Sequence, residues 1–113
     1  MTLTHEQIAE MTREEVNIAI AKRRDEIFMT GIDVETAQVS YPDYCHEWYH
    51  AGRLLEMMTD EASGLPDLEF IANHWICCGY NGGEHVEVVC QTAQTAQEAI
   101  ARCWLEWSEV THE

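Results

Sequence analysis

HWICCGYNGGEHVEVVC, residues 74–90, decides how this chain folds. Two runs rich in apolar, β-branched and aromatic residues, 74–80 and 84–90, flank Asn81-Gly82-Gly83. An Asn-Gly or Gly-Gly pair supplies the positive φ angles of a tight hairpin turn, so the stretch reads as two antiparallel strands. The two candidate turns shift the pairing by two residues, which leaves the faces unchanged. Trp75, Cys77, Gly79, Val86, Val88 and Cys90 are expected to face the core. Ile76, Cys78, Tyr80, His85, Glu87 and Val89 fall on the other face. DLEFIA, just upstream, is a candidate third strand.

Working outward, helix starts punctuate the rest. Thr12 and Glu15 form a capping-box pattern before VNIAIAKRRDEIF, where Val16, Ala19, Ile20, Arg23 and Ile27 share a stripe and Gly31 suits the stop. Thr4 to Gln7 is a weaker signal of the same kind for a short preceding helix. YPDYCHEWYHAGRLLEMM, residues 41–58, reads as a second main helix with Asp43 as N-cap and Cys45, Trp48, Ala51, Leu55 and Met58 on its apolar face. The last helix opens on Thr95 to Glu98. Ala96, Ile100, Cys103, Trp107 and Val110 are expected inside, with Glu98, Arg102 and Glu106 as an i,i+4 ladder outside. The expected fold is α+β in one domain over residues 1–113, with about three helices on a small antiparallel sheet.

Charge excludes whole classes of partner. Asp and Glu number 21 against 6 Lys and Arg, for a net charge of −15. Gripping a nucleic-acid backbone requires Lys and Arg to neutralise phosphates, and anionic membranes ask for the same. Neither direct nucleic-acid binding nor membrane binding is expected. No apolar run approaches the ~20 residues that span a bilayer, and the opening MTLTHEQIAE lacks a basic signal region. The five cysteines form no CxxC pair, so reduced, mostly buried thiols and a cytoplasmic location in the host cell are expected.

HEWYH, residues 46–50, matches the HExxH zinc-peptidase pattern. In that chemistry two histidines one helical turn apart bind zinc and the glutamate activates water, with a third ligand from elsewhere. Taken at its word, the match makes His46 and His50 zinc ligands and Glu47 the catalytic base of a hydrolase. Centring the buried stripe on Trp48, however, turns both histidines away from the core, the side on which a sheltered metal has no supporting shell. A solvated helix face is the expected reading, and zinc hydrolysis the alternative. Cys45 near the same helix start is expected to be a buried thiol, and Cys78 with His85 a cross-strand packing pair. There is no strand-to-helix glycine-rich phosphate loop and no GxSxG elbow.

MTREEVNIAIAKRRDEIFM, SYPDYCHEWYHAGRLLEMM, WICCGY and TAQTAQEAIARCWLEW together resemble the helix starts and packing patterns of the ABA-sandwich, NinX-like proteins of bacteriophages. The resemblance runs from about Met11 onward. It implies an α/β sandwich with helices and sheet layered, and a phage accessory protein. That family pattern carries no catalytic residue and no HExxH at this helix, and here the chain departs from it.

An accessory protein this acidic is expected to bind a host protein through that protein's basic, nucleic-acid-handling surface, carboxylates standing in for phosphates. An anti-CRISPR or anti-restriction inhibitor would act this way. The candidate surface is Glu10, Glu14, Glu98, Glu106 and Glu109, with Ile76 and Tyr80 on the exposed sheet face. The bland counterpart is a solvated surface that serves solubility alone. A third reading is a homo-oligomer through Ile76, Cys78, Tyr80 and Val89.

Overall fold

The computed structural model describes residues 3–24, 28–30, 38–62, 66–80 and 87–111. In chain order these form α1 (His5–Glu10), α2 (Arg13–Arg24), β1 (Phe28–Thr30), β2 (Gln38–Ser40), α3 (Trp48–Ala62), β3 (Asp67–Ile71), β4 (His74–Tyr80), β5 (Glu87–Ala93) and α4 (Ala96–Thr111). The fold is α+β. β1 and β2 make a small antiparallel pair, and β3-β4-β5 an antiparallel sheet with β4 in the middle. No described helix is long and apolar enough to cross a membrane.

The capping signals are used. Gln7 N donates to Thr4 Oγ1 at 3.2 Å while Thr4 N donates to Gln7 Oε1 at 2.8 Å, and Thr12 and Glu15 exchange the same two bonds at 3.1 and 2.9 Å. Each box satisfies backbone N–H groups that a helix start leaves without partners. At α4 half of the box forms, with Glu98 N donating to Thr95 Oγ1 at 3.2 Å. The Glu98 carboxylate is drawn instead to two arginines.

The sheet shows why a hairpin can be recognised while its faces are misread. β3 and β4 join through Ala72 and Asn73, both at positive φ (53° and 67°), as a two-residue primed turn requires. The third strand is therefore β3. Between β4 and β5, Tyr80 pairs with Glu87, which keeps the expected parity. A bulge follows, because Gly79 pairs with Val89 and Val88 is the extra residue. Every β5 residue beyond it turns over. Val89 and Gln91 go to the buried side beside Cys77, and Cys90, expected in the core, comes round opposite Cys78. The Asn81-Gly82-Gly83 turn and His85 lie outside the described residues, as do the side chains of Val86, Val88 and Glu87 and the expected stop at Gly31.

α4 packs on the β4–β5 side of the sheet, and α1, α2 and α3 gather around α4. Ile8, Val16, Ile20, Leu54, Met58, Ile100 and Leu105 are fully buried. Each apolar side chain of this size contributes about 1.5–3 kcal/mol by leaving water. Trp107 closes over Gly79, where a Cβ would meet Trp107 Cδ1 at 3.0 Å and Val89 Cγ2 at 3.2 Å. On the other sheet face Glu69, Ile71 and Thr92 are exposed, while Ile76, Cys78 and Cys90 are half-buried.

Two boundaries differ from expectation. α2 stops at Arg24, well before Gly31, and a β-pair follows where the sequence suggests only irregular chain. α3 begins at Trp48 because Asp43 is not its cap. The Asp43 carboxylate accepts from Asn17 Nδ2 at 2.9 Å and meets His46 Nδ1 at 2.9 Å, so residues 44–46 form a separate turn. Sitting at the helix start, Trp48 is 56% exposed, and the buried stripe is Ala51, Leu54 and Met58 instead.

Candidate functional site

α4 is buried around nearly its whole circumference from Ala99 to Glu109, so its polar side chains need partners inside the protein. Glu98 takes Arg13 Nε at 2.5 Å and Arg102 Nε at 3.0 Å. Arg102 continues into α1, donating through Nη1 to Ile8 O at 2.6 Å and through Nη2 to Met11 O at 2.8 Å. It thereby caps the carbonyl end of a helix too short to hold itself. Glu106 meets His5 Nδ1 at 2.8 Å and accepts from Gln91 Nε2 at 2.5 Å. Glu109 is paired with Arg23 and accepts from Leu3 N at 3.3 Å.

This corrects the expected outer ladder. Glu98, Glu106 and Glu109 are 6%, 8% and 6% exposed, and Arg102 is 6% exposed, so none of the four offers a surface to a partner. The wheel supplies one buried stripe, so the i,i+4 spacing predicts a solvated face, but α4 has neighbours on the opposite side as well. Glu10 and Glu14 are exposed as expected, with Tyr41 donating to Glu14 at 3.0 Å. Ile76 is half-buried on the outer sheet face, and the side chain of Tyr80 lies outside the described residues.

HEWYH does not lie on one helix. His46 sits in the turn before α3, its Nδ1 engaged by Asp43. Glu47 precedes the helix and is exposed, its carbonyl accepting from Ala51 N at 3.0 Å. His50 is in the first turn of α3, packed edge-on against Tyr44 and Tyr49 with ring centres 5.8 and 5.1 Å away. Its Nε2 is 3.7 Å from Glu47 Oε2, and its buried Nδ1 has no hydrogen-bond partner. One helical turn carrying two histidines on one face, the geometry HExxH needs, is not what these residues form. Among the described residues no group of three His, Cys, Asp or Glu side chains is placed to hold a metal ion.

The thiols divide. Cys45, Cys77 and Cys103 are free and buried, as expected. Cys78 and Cys90 are joined by a disulfide across β4 and β5, their Cα atoms 4.1 Å apart, which overturns the expectation of five reduced thiols. Two shifts cause the difference: Tyr80 pairs with Glu87, which moves His85 away from Cys78, and the bulge then places Cys90 rather than Val89 opposite Cys78. Burial, with Glu98 nearby, pushes the Cys45 thiol up to about 12, so it is no nucleophile at neutral pH. A hydrogen bond with Cys77 and burial likewise raise Cys103. At Asp43, burial opposes ionisation, but the hydrogen bonds from His46 and Asn17 outweigh it and hold the carboxyl below its usual range.

A feature the sequence reading passed over is a cavity of about 410 Å³ lined by Arg23, Arg24, Met57, Trp104, Trp107 and Ser108. Its sequence signal was the Lys22-Arg23-Arg24 run, half of the chain's 6 basic residues, ending one helix. No protein-family model, curated protein or solved structure matches this chain.

Proposed function

We propose that this chain is an acidic binding protein, of the phage accessory kind its sequence resembles, that covers a basic nucleic-acid-handling surface of a host protein. One observation carries the reading: exposed acids are grouped on α1 and the start of α2. Arg13, Arg23 and Arg102, three of 6 basic residues, are bound to Glu98 and Glu109 on α4. The acids of α1 and the start of α2, by contrast, face solvent: Glu6, Glu10, Glu14 and Glu15 are all exposed along two consecutive helices. Acids that serve solubility alone can be scattered, whereas a surface that competes with phosphates needs them grouped in this way.

The test is displacement. Labelled duplex DNA bound to a purified restriction or CRISPR effector nuclease is titrated with the protein and followed by anisotropy. Displacement that weakens steeply with added salt, and that is reduced in a Glu6→Gln/Glu10→Gln/Glu14→Gln variant, supports the reading. DNA that stays bound to every effector tested, or displacement indifferent to the three substitutions, overturns it.

A further inference from the structure

β3 is an edge strand of the β3-β4-β5 sheet, and Pro66 precedes it, a residue that suits an edge because it has no N–H to give a neighbouring strand. Its register with β4 fixes which backbone groups face outward. Ile71 and His74 close a two-residue turn and so exchange both hydrogen bonds, and the pairs then alternate. Asp67, Glu69 and Ile71 bond to β4, while the N–H and C=O groups of Leu68 and Phe70 point away from the sheet. Among the described residues no backbone group of another element bonds to them.

The side chains along this edge meet solvent. Glu69 is exposed, Phe70 is 57% exposed and Ile71 49%. They also alternate. Phe70 lies on the face of buried Cys77, its ring centre 5.3 Å from that of Trp75, and Glu69 and Ile71 lie on the face of Cys78. An open edge that keeps large apolar side chains in water is a template for another strand.

Charge decides which strand. A second copy would pair β3 antiparallel with itself. Centring that pair on Glu69 sets Glu69 against its own copy, and centring it on Leu68 sets Asp67 against Glu69. Like charges directly opposite destabilise a pair, and each copy brings a net charge of −15. Centring on Phe70 avoids this but keeps only residues 69–71 of the strand in the pair.

We infer that the β3 edge binds an extended segment of another protein in which basic and apolar side chains alternate. Its backbone bonds to the N–H and C=O groups of Leu68 and Phe70. Its Lys or Arg side chains lie beside Glu69, and its apolar side chains beside Phe70. The inference is independent of the acids of α1 and α2, since it rests on a different element and on backbone pairing.

The experiment uses the full chain and a short, blocked, fluorescently labelled peptide of alternating Lys and Val, followed by anisotropy at physiological ionic strength. Saturable binding is expected. Two N-methylated forms keep the same side chains and charge, one methylated on the backbone nitrogen of every Lys and the other on that of every Val. Only one set of nitrogens faces β3, so one form should bind about tenfold or more weaker than the other, through lost backbone hydrogen bonds. Glu69→Gln should weaken the unmethylated peptide about threefold, the loss of a cross-strand charge pair. Glu56→Gln, which removes the same charge from an exposed position on α3, should change it less than about 1.5-fold. Phe70→Pro, checked for folding by its melt, removes an outward N–H and the exposed ring while sparing the β4 ladder, and should weaken the peptide about tenfold or more. Four results overturn the inference: no saturable binding, equal binding of the two methylated forms, equal losses in Glu69→Gln and Glu56→Gln, or a dimer in sedimentation that Phe70→Pro disperses. The second and third would mean that the peptide feels only the general charge of the chain, and the last would place a second copy on the edge.

Discussion

Arg102→Met removes the side chain that ties α1 to α4. In the native protein the Arg102 guanidinium serves Glu98 at 3.0 Å and two carbonyls of α1 and its end at 2.6 and 2.8 Å. Methionine fills much of the same length but carries no donor. The substitution leaves the Ile8 and Met11 carbonyls short of a donor and Glu98 dependent on Arg13, whose side chain is half exposed and a weaker screen. Breaking a buried charge pair by deleting one partner costs about 3–5 kcal/mol, mainly through the charge left behind. For a domain of this size about 1 kcal/mol moves the melting midpoint by about 4 °C, so the expected fall is about 12–20 °C. Urea unfolding followed by Trp fluorescence measures the loss directly. The double variant Arg102→Met/Glu98→Gln should be more stable than the sum of the two single losses by about 1 kcal/mol or more, because no charge is then stranded. A cost below about 1 kcal/mol for Arg102→Met would refute the reasoning, since that is the range of exposed ion pairs.

Other perturbations read other parts of the structure. Reducing the Cys78–Cys90 bridge, which closes a separation of 12 residues, should cost about 3 kcal/mol of loop-closure entropy, seen as a lower melting midpoint with reductant and no such shift in Cys78→Ser/Cys90→Ser. Gly79→Ala should destabilise by about 1–3 kcal/mol in urea unfolding, because its methyl would press on the Trp107 ring at 3.0 Å. Cys45 should resist alkylation in the native state at pH 8. Its folded thiol is raised to about 12 from an ordinary 9.0, so the native state keeps its proton where the unfolded state loses it. Stability from this group is therefore complete below pH 9.0 and declines as pH rises toward 12, which Cys45→Ser should lessen in an alkaline unfolding series. Asp43 works in the opposite direction: held below its ordinary 3.8, it adds stability above that value that disappears as pH falls through its lower folded range, and Asp43→Asn should flatten acid unfolding there.

Local signals were legible in the sequence and parity was not. Thr4, Thr12 and Thr95 mark three helix starts because a hydroxyl three residues before a Glu or Gln has one local use. The strand pair could be read from residues 74–90, but a single bulge at Gly79 and Tyr80 reversed every later face, and with it the fate of Cys90. Asp43 looked like a cap for α3, yet its acceptors go to Asn17 on another helix, an attraction no local pattern encodes. For the same reason Glu98, Glu106 and Glu109 passed for a solvated face. A helical wheel shows the stripe a helix must bury; whether the opposite side is also covered depends on α1 and α2 arriving there. The cavity escaped notice because its walls come from α2, α3 and α4, and only the Lys22-Arg23-Arg24 run hinted at it.

The central claim is that the acids of this chain do two separate jobs, architecture on α4 and partner recognition on α1 and α2. The measurement that tests it sets Glu98→Gln beside Glu6→Gln/Glu10→Gln/Glu14→Gln, each assayed once for melting and once for displacement of DNA from an effector nuclease at a temperature where both are folded. The account predicts that Glu98→Gln melts lower but displaces DNA like the parent, while the triple variant melts like the parent and displaces DNA poorly. Undiminished displacement by the triple variant, or loss of displacement in folded Glu98→Gln, would contradict it.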